Sequence, residues 1–416
     1  MNFENFNTLL VQTIGNKVGA TAPVITPSAS FGYKDALQAE NIFAGSENLP
    51  LYARVGNPTN TKLESIVANI ENGFGAIATS SGMGAISMVL SAILSTNDEI
   101  LCIGGFFGGT YTLVNQTLKR FGVKNSFCQI DDFLHIEDKL KSNIKLVLLE
   151  SVGNPGLRLP DIKKIADLCK KYETILAVDN TTTPLLVQPL NLGADIVVHS
   201  STKNMSGHSA ALGGVAVFRE VNSKDDKLLN PKYKDLHEII KKADKRALIV
   251  ICRKRALRDI GMSANAFGSF LTLLGLETLG LRVERVNKSI GKIVKALDEK
   301  LPGDIVVNHP SLPKSLDFDN YNKFFKNGCG PIFTLDAKTK KIAFKLLDSL
   351  ELATQTANIG DNRTLALHMK STIYRDFDEK SRKFLGITDG LIRISVGLEK
   401  PQDIIDDLLQ AVAKGL

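Results

Sequence analysis

Between residues 76 and 217 the chain repeats one pattern: a short apolar run, a break of small or polar residues, then apolar residues at helical spacing. The runs lie at 76–79 (AIAT), 100–103 (ILCI), 145–150 (KLVLLE), 174–178 (TILAV) and 194–198 (ADIVV). Each is too short for a helix, and most lack the alternation of a strand with one wet face. Strands of this kind separated by helices predict an α/β fold with a mainly parallel sheet. Such sheets gather ligands at the carboxyl ends of their strands. A chain of 416 residues exceeds one simple core. The expected division is an N-terminal arm (1–60), a large domain (61–262) ending in a basic helical stretch at about 220–258, and a smaller α+β C-terminal domain (263–416) that opens with a bridging helix. Pro23, Pro27 and Pro50 make the arm read as extended and irregular, in need of something else to pack on.

The last apolar run leads into 198–215, VHSSTKNMSGHSAALGGV. Lys203 lies there among Ser200, Ser201, Thr202, Ser206 and Gly207. A lysine in so small-sided a turn can meet a ligand closely, and a neutral lysine amine adds to carbonyl groups. The neighbouring hydroxyls and N–H groups can hold an anion, such as a phosphate on the same carbonyl compound. The stretch alone admits an ordinary polar loop lysine equally well. Ser81, Gly82 and Met83 open an apolar helix, whose free N–H groups and dipole favour a phosphate. They do not form GxGxxG, which weighs against a dinucleotide fold. Tyr52 and Arg54 alternate on what reads as an extended segment, so both side chains point one way. They are either a phosphate clamp or plain surface residues. Asp179 ends the run 174–178 and points into the crevice. Arg393, in LIRISVG, alternates with Ile392 and Ile394 and so faces away from the apolar side, where surface charge is the plain reading.

Together these stretches resemble the pyridoxal-phosphate enzymes of cysteine and methionine metabolism, the family of cystathionine γ-synthase, cystathionine γ-lyase, methionine γ-lyase and the O-acylhomoserine sulfhydrylases. Its pattern HSxTKxxSGH is matched by His199, Ser200, Thr202, Lys203, Ser206, Gly207 and His208. YxRxxNPT is matched by Tyr52, Arg54, Asn57, Pro58 and Thr59, and SSGMxAI begins at Ser80. ESxxNP is matched by Glu150, Ser151, Asn154 and Pro155, while VDNTTTP at 178–184 is one residue shorter than VDNTxxTP. GLETLGLRVER at 275–285 resembles the family's GLxTLxLR.

The resemblance implies a fold-type I enzyme with a seven-stranded-type sheet. It implies pyridoxal 5′-phosphate held covalently on Lys203, Asp179 opposite the pyridine nitrogen, Asn154 near the 3-oxygen and Phe107 stacked on the ring. Ser81, Gly82, Met83, Ser200 and Thr202 would hold the phosphate from one subunit. Tyr52 and Arg54 would reach it from the next, in a homotetramer built as a dimer of dimers. Arg393 would hold the substrate carboxylate, with Asn358 also in the substrate site. Phe107 stands where the family has tyrosine in xYGxT; a phenyl ring still stacks but offers no phenolic proton. Tyr111, four residues on, reads as helix core or surface.

The stretch 224–258 looks like an insertion common in the sulfhydrylases, ANIGD (357–361) is similar to theirs, and Gly109 stands where methionine γ-lyases carry cysteine. FAGSE before Tyr52 resembles the γ-lyases, and HMKS from His368 lacks the proline of the family's HPxS. The implied reaction is γ-replacement on an O-acylhomoserine, acetyl first, by sulfide or a thiol to give homocysteine or methionine. Methionine γ-lyase and then cystathionine γ-synthase are the alternatives.

Composition narrows the classes further. Hydrophobic residues make up 44% and charged residues 23%, as in soluble globular proteins. No apolar run approaches the ~18 residues of a membrane span, and MNFENFNTLL is not expected to be a signal peptide. Five scattered cysteines without CxxC predict a reduced cytoplasmic chain without disulfides or structural zinc, and the six histidines lack metal-ligand spacing. The net charge of +7 concentrates at 224–258, where few aromatics accompany it. A solvated helical face is expected there rather than a nucleic-acid patch.

Overall fold

The structure, a computed structural model, describes residues 3–16, 18–47 and 49–416. Met1, Asn2, Lys17 and Asn48 of the expected arm lie outside the described residues. The larger sheet has seven strands: β1 (Gly75–Thr79), β2 (Glu99–Ile103), β3 (Lys124–Cys128), β4 (Ile144–Glu150), β5 (Ile175–Asp179), β6 (Ile196–His199) and β7 (Gly214–Phe218). Their spatial order is β1-β7-β6-β5-β4-β2-β3. The pairs from β6 across to β3 are parallel, and β7 runs against both its neighbours. The expected α/β sheet is present, with one reversed strand.

The central strand β4 is buried along its whole length, which is why KLVLLE shows no alternation. Leu146 and Leu148 join the core on one face; Val147 and Leu149 join the core on the other. β3 is an edge strand, KNSFC, with only Cys128 buried. It has no apolar run, so periodicity does not reveal it.

The arm is more regular than its prolines suggest. α1 (Phe3–Ile14) precedes them and buries Leu10 and Ile14 in a core shared with α3 (Pro58–Ile70). α2 (Ala36–Ala44) fits between Pro27 and Pro50. The arm therefore starts packed on its own chain, contrary to expectation. α3 begins with Pro58 in its first turn, and Asn57 caps it by accepting the Thr59 N–H at 2.9 Å.

The basic stretch is not a plain solvated face. It folds as a chain of short helical segments from Lys227 to Ile260 whose inner side buries Leu228, Tyr233, Leu236, Ile240 and Ile251 in the main core. Tyr233 Oη donates to the Lys145 carbonyl at 2.7 Å and accepts the Ile175 N–H at 2.9 Å, tying the starts of β4 and β5 together. Several of its basic residues, with Lys145 beside it, pair internally: Lys227 with Asp195, Arg255 and Lys145 with Asp235, Arg253 with Glu64.

The expected bridging helix is two helices, Ala266–Glu277 and Leu279–Lys300, bent by 60° between Gly275 and Gly280. Among the described residues no single helix is long and apolar enough to cross a membrane. A second sheet follows, of β8 (Val306–Asn308), β9 (Ile332–Asp336), β10 (Thr354–Gln355), β11 (Leu365–His368) and β12 (Leu391–Ser395), in the order β10-β11-β12-β9-β8. The helices Lys340–Asp348 and Pro401–Gly415 pack on it. Ile392 and Ile394 of β12 enter that core, which turns Arg393 to the other face.

Candidate active site

The carboxyl ends of β1, β4, β5 and β6 open on one cavity of about 880 Å³, counting its mouth, and β12 with the loop between β10 and β11 closes the far side. All the expected site residues except Tyr52 and Arg54 line it. Those two lie in a turn rather than an extended segment, since the Val55 and Gly56 N–H groups both bond to the Tyr52 carbonyl. They are still neighbours, with the Arg54 guanidinium 5.4 Å from the Tyr52 ring centre, and both are exposed outside the cavity of their own chain.

The helix that begins at the cavity is α4 (Gly82–Ile93). Ser81 caps it, its Oγ accepting the Gly84 N–H at 2.9 Å. The N–H groups of Gly82 and Met83 have no partner within the helix and belong to the cavity lining. A Cβ on Gly82 would lie 2.5 Å from Ser200 Cβ, so glycine alone lets the start of α4 meet the lysine turn. The Thr202 hydroxyl differs from expectation. It donates to the Gly213 carbonyl (3.1 Å) and accepts the Gly213 N–H (3.0 Å), so it shapes the turn instead of presenting a free donor.

Lys203 sits in the loop between β6 and β7, and its Nζ donates to Asn358 Oδ1 at 2.5 Å. Burial, with the nearby Arg393 charge, lowers its pKa to about 8. It thus has a substantial neutral fraction near neutral pH, where an ordinary lysine has very little. The loop is braced from beneath by Arg282, which donates to the carbonyls of Asn204 (2.7 Å) and Gly275 (2.5 Å).

Arg393 is 3% exposed, which rejects surface charge. Its guanidinium donates to Asn154 Oδ1 and to the Asn358 carbonyl, both at 3.1 Å, and burial lowers its pKa to about 10. A buried arginine beside a cavity is an anion site for a substrate carboxylate.

Two carboxyls face the same space, from register partners on β4 and β5: Glu150 and Asp179. Burial raises both, and the Asp179 charge raises Glu150 further, well above the usual range. Thr181 and His199 pull Asp179 part of the way back down, so Glu150 is the more strongly raised of the two. Glu150 accepts the backbone N–H of Phe107 (2.7 Å) and of Asn154 (3.0 Å), which fixes the ring and the amide that line the cavity. Sequence reasoning named Glu150 within ESxxNP but not as a site residue. The strand-end position that singled out Asp179 applied equally to Glu150. Behind Asp179, buried Glu71 accepts from His199 Nε2 (2.8 Å) and Asn180 Nδ2 (2.9 Å), bracing the ends of β5 and β6. Tyr111 lies outside the cavity, packed between Phe127 and Phe377.

The residues suit a phosphate-bearing aldehyde. The α4 N-terminus supplies N–H donors, a glycine cradle brings it against Ser200, and a half-buried lysine shares the cavity with an acidic strand end. Fold and site together define an enzyme of the fold-type I pyridoxal-phosphate class. The chain belongs to the Cys/Met metabolism PLP-dependent enzymes, whose family model matches residues 7–413. It is 35% identical to a homocysteine synthase from Schizosaccharomyces pombe, over 98% of each chain. It is 33% identical to an L-methionine gamma-lyase from Fusobacterium nucleatum, covering 97% of this chain and 96% of that one. A crystal structure of a putative O-acetylhomoserine (thiol)-lyase from Campylobacter jejuni, carrying a pyridoxyl-lysine monophosphate, superposes with a TM-score of 0.91. It is 32% identical, covering 98% of this chain and 99% of that one.

Proposed function

We propose that this enzyme performs γ-replacement on O-acetylhomoserine, or another O-acylhomoserine, with sulfide or a thiol, giving homocysteine or methionine. Bound pyridoxal phosphate supplies the sink for electrons released at the substrate carbons. Arg393 holds the α-carboxylate bidentately, with Asn358 beside it. Lys203 would hold the cofactor through its Nζ, and its amine, a base poised near 8, would take the α-proton and return protons along the substrate. Asp179 keeps a proton on the pyridine nitrogen, and Asn154 steadies the ring's 3-oxygen. Glu150 positions the Phe107 and Asn154 backbones. Gly82, Met83, Ser81 and Ser200 receive the phosphate.

Phe107 carries the choice of reaction. The side chain against the cavity has no acidic proton to give a departing group, so good leaving groups are favoured. Acetate leaves readily; a thiolate from methionine or cystathionine needs more help. Methionine γ-lyase is the second reading, favoured by FAGSE at 43–47. The test is kcat/KM for O-acetylhomoserine with sulfide against methionine and cystathionine alone. Equal or faster methionine cleavage refutes the first reading in favour of the second.

Tyr52 and Arg54, exposed outside their own cavity, reach the phosphate of a neighbouring subunit in a homotetramer made of two such dimers. The chain divides at about residues 60 and 262 into arm, cofactor domain and C-terminal domain. The five cysteines are free and buried, which suits a reducing cytoplasm.

A further inference from the structure

The hydrogen-bond chain from Lys203 does not stop at Asn358. Asn358 Nδ2 donates to Ser209 Oγ at 2.9 Å, and Ser209 Oγ donates in turn to Asp361 Oδ2. Asp361 is 4% exposed and holds the Arg363 guanidinium through Nε (2.8 Å) and Nη2 (3.1 Å). Burial raises the Asp361 carboxyl, but the hydrogen bonds from Arg363 and Ser209 outweigh it and hold the group below the usual carboxylate value. An ionised carboxylate only accepts. The Ser209 hydrogen is therefore committed to Asp361, and the Ser209 lone pairs are left to accept. Asn358 must then turn its NH₂ to Ser209 and its oxygen to Lys203.

Backbone contacts keep the two loops in this relation. The Asn362 N–H bonds to the Gly207 carbonyl at 2.9 Å, and the Gly360 N–H bonds to Ser395 Oγ at 3.0 Å, which ties the same loop to β12. A Cβ on Gly360, whose φ is +65°, would lie 2.7 Å from the Asn204 nitrogen. The direction of the amide has a chemical consequence. With its oxygen toward the lysine, Asn358 accepts a hydrogen and leaves the Nζ lone pair free. Reversed, the amide NH₂ would donate to that lone pair and occupy it.

We propose that Ser209 and Asp361 are positioning residues that fix the direction of the Asn358 amide and so keep the Lys203 lone pair available to react. The inference rests on the reading of Lys203 as the residue that carries the cofactor.

The test follows attachment itself, without turnover. Full-length chain freed of cofactor is mixed with pyridoxal phosphate, and the visible band of the covalent adduct is timed at pH values either side of 8. Wild type, Ser209→Ala, Asn358→Ala and the double variant are compared. Ser209→Ala slows attachment about five-fold on the alkaline side, the worth of one net hydrogen bond. In the Asn358→Ala background the same change has no effect, because no amide remains to orient. Ser209 is exposed and has φ +54°, so Ser209→Gly makes the same test without backbone strain if the alanine variant folds poorly. An unchanged rate in the serine variants, or the same slowing in both backgrounds, overturns the proposal. A wild-type chain that borohydride does not label at Lys203 overturns the underlying reading instead.

Discussion

Gly82→Ala sets two small energies against each other at the cofactor cradle. Gly82 opens α4, where alanine would normally gain up to about 1 kcal/mol over glycine. Here the new Cβ would sit 2.5 Å from Ser200 Cβ and 2.9 Å from both its Cα and Oγ. The obstructing atoms include backbone, so the strain is not shed by turning one flexible side chain. Overpacking of this kind costs about 1–3 kcal/mol. Set against the full helical gain, the collision wins by up to about 2 kcal/mol. It is relieved by parting α4 from the turn that carries Lys203, where the Ser200 N–H bonds to Thr181 Oγ1 at 2.8 Å. Parting those two elements moves the phosphate donors away from the lysine, so affinity for pyridoxal phosphate falls, by up to about thirty-fold. Equilibrium titration of the visible band measures it, with thermal melts of the cofactor-free chain alongside. Gly291→Ala is the control: Gly291 is exposed in the helix Leu279–Lys300, and nothing lies within 4 Å of its added Cβ. It should raise Tm and leave cofactor affinity alone. Unchanged affinity in Gly82→Ala would refute the close approach of α4 to the lysine turn as the basis of the cradle.

Tyr233→Phe strands a buried N–H of Ile175 and a buried carbonyl of Lys145, and should cost about 1–3 kcal/mol in denaturant unfolding with kcat unchanged; no loss would mean the basic segment does not tie β4 to β5. Phe107→Tyr should raise methionine cleavage relative to O-acetylhomoserine turnover, each tenfold in the kcat/KM ratio being about 1.4 kcal/mol of transition-state preference. A ratio that stays put would show that the phenolic proton does not decide leaving-group choice. Arg54→Ala subunits mixed with Lys203→Ala subunits should regain activity, since one site per hybrid dimer receives both intact parts; verified hybrids with no recovery would place Arg54 in its own subunit's service.

Much of the site was legible because its signals are local. Lys203, Asp179 and Ser81 to Met83 each follow an apolar run at a strand end, where the change from apolar to small or polar residues is written into a few consecutive positions. The alternation of strands and helices was readable for the same reason. Where local pattern failed, the cause is equally specific. β3 has no apolar run to detect, and α1 was hidden by prolines that lie beyond it. The basic stretch 224–258 looked solvated because its charges outnumber its apolar residues, yet Tyr233, Leu236 and Ile240 turn inward together.

The tertiary structure alone decided which of these local pieces meet. Arg393 on a half-apolar strand reads identically as surface charge or as a buried fork. Only the packing of β12 between β11 and β9, with its polar face toward the cavity, makes it the latter. Asn358 is 155 residues from Lys203 in the chain, and nothing in either neighbourhood announces their 2.5 Å contact. Period and turn are properties of the backbone over a few residues, so the chain states them directly. Which faces close on one another depends on burial summed over the whole molecule. That closure takes water from Lys203, lowers its pKa and gives its hydrogen bond a direction.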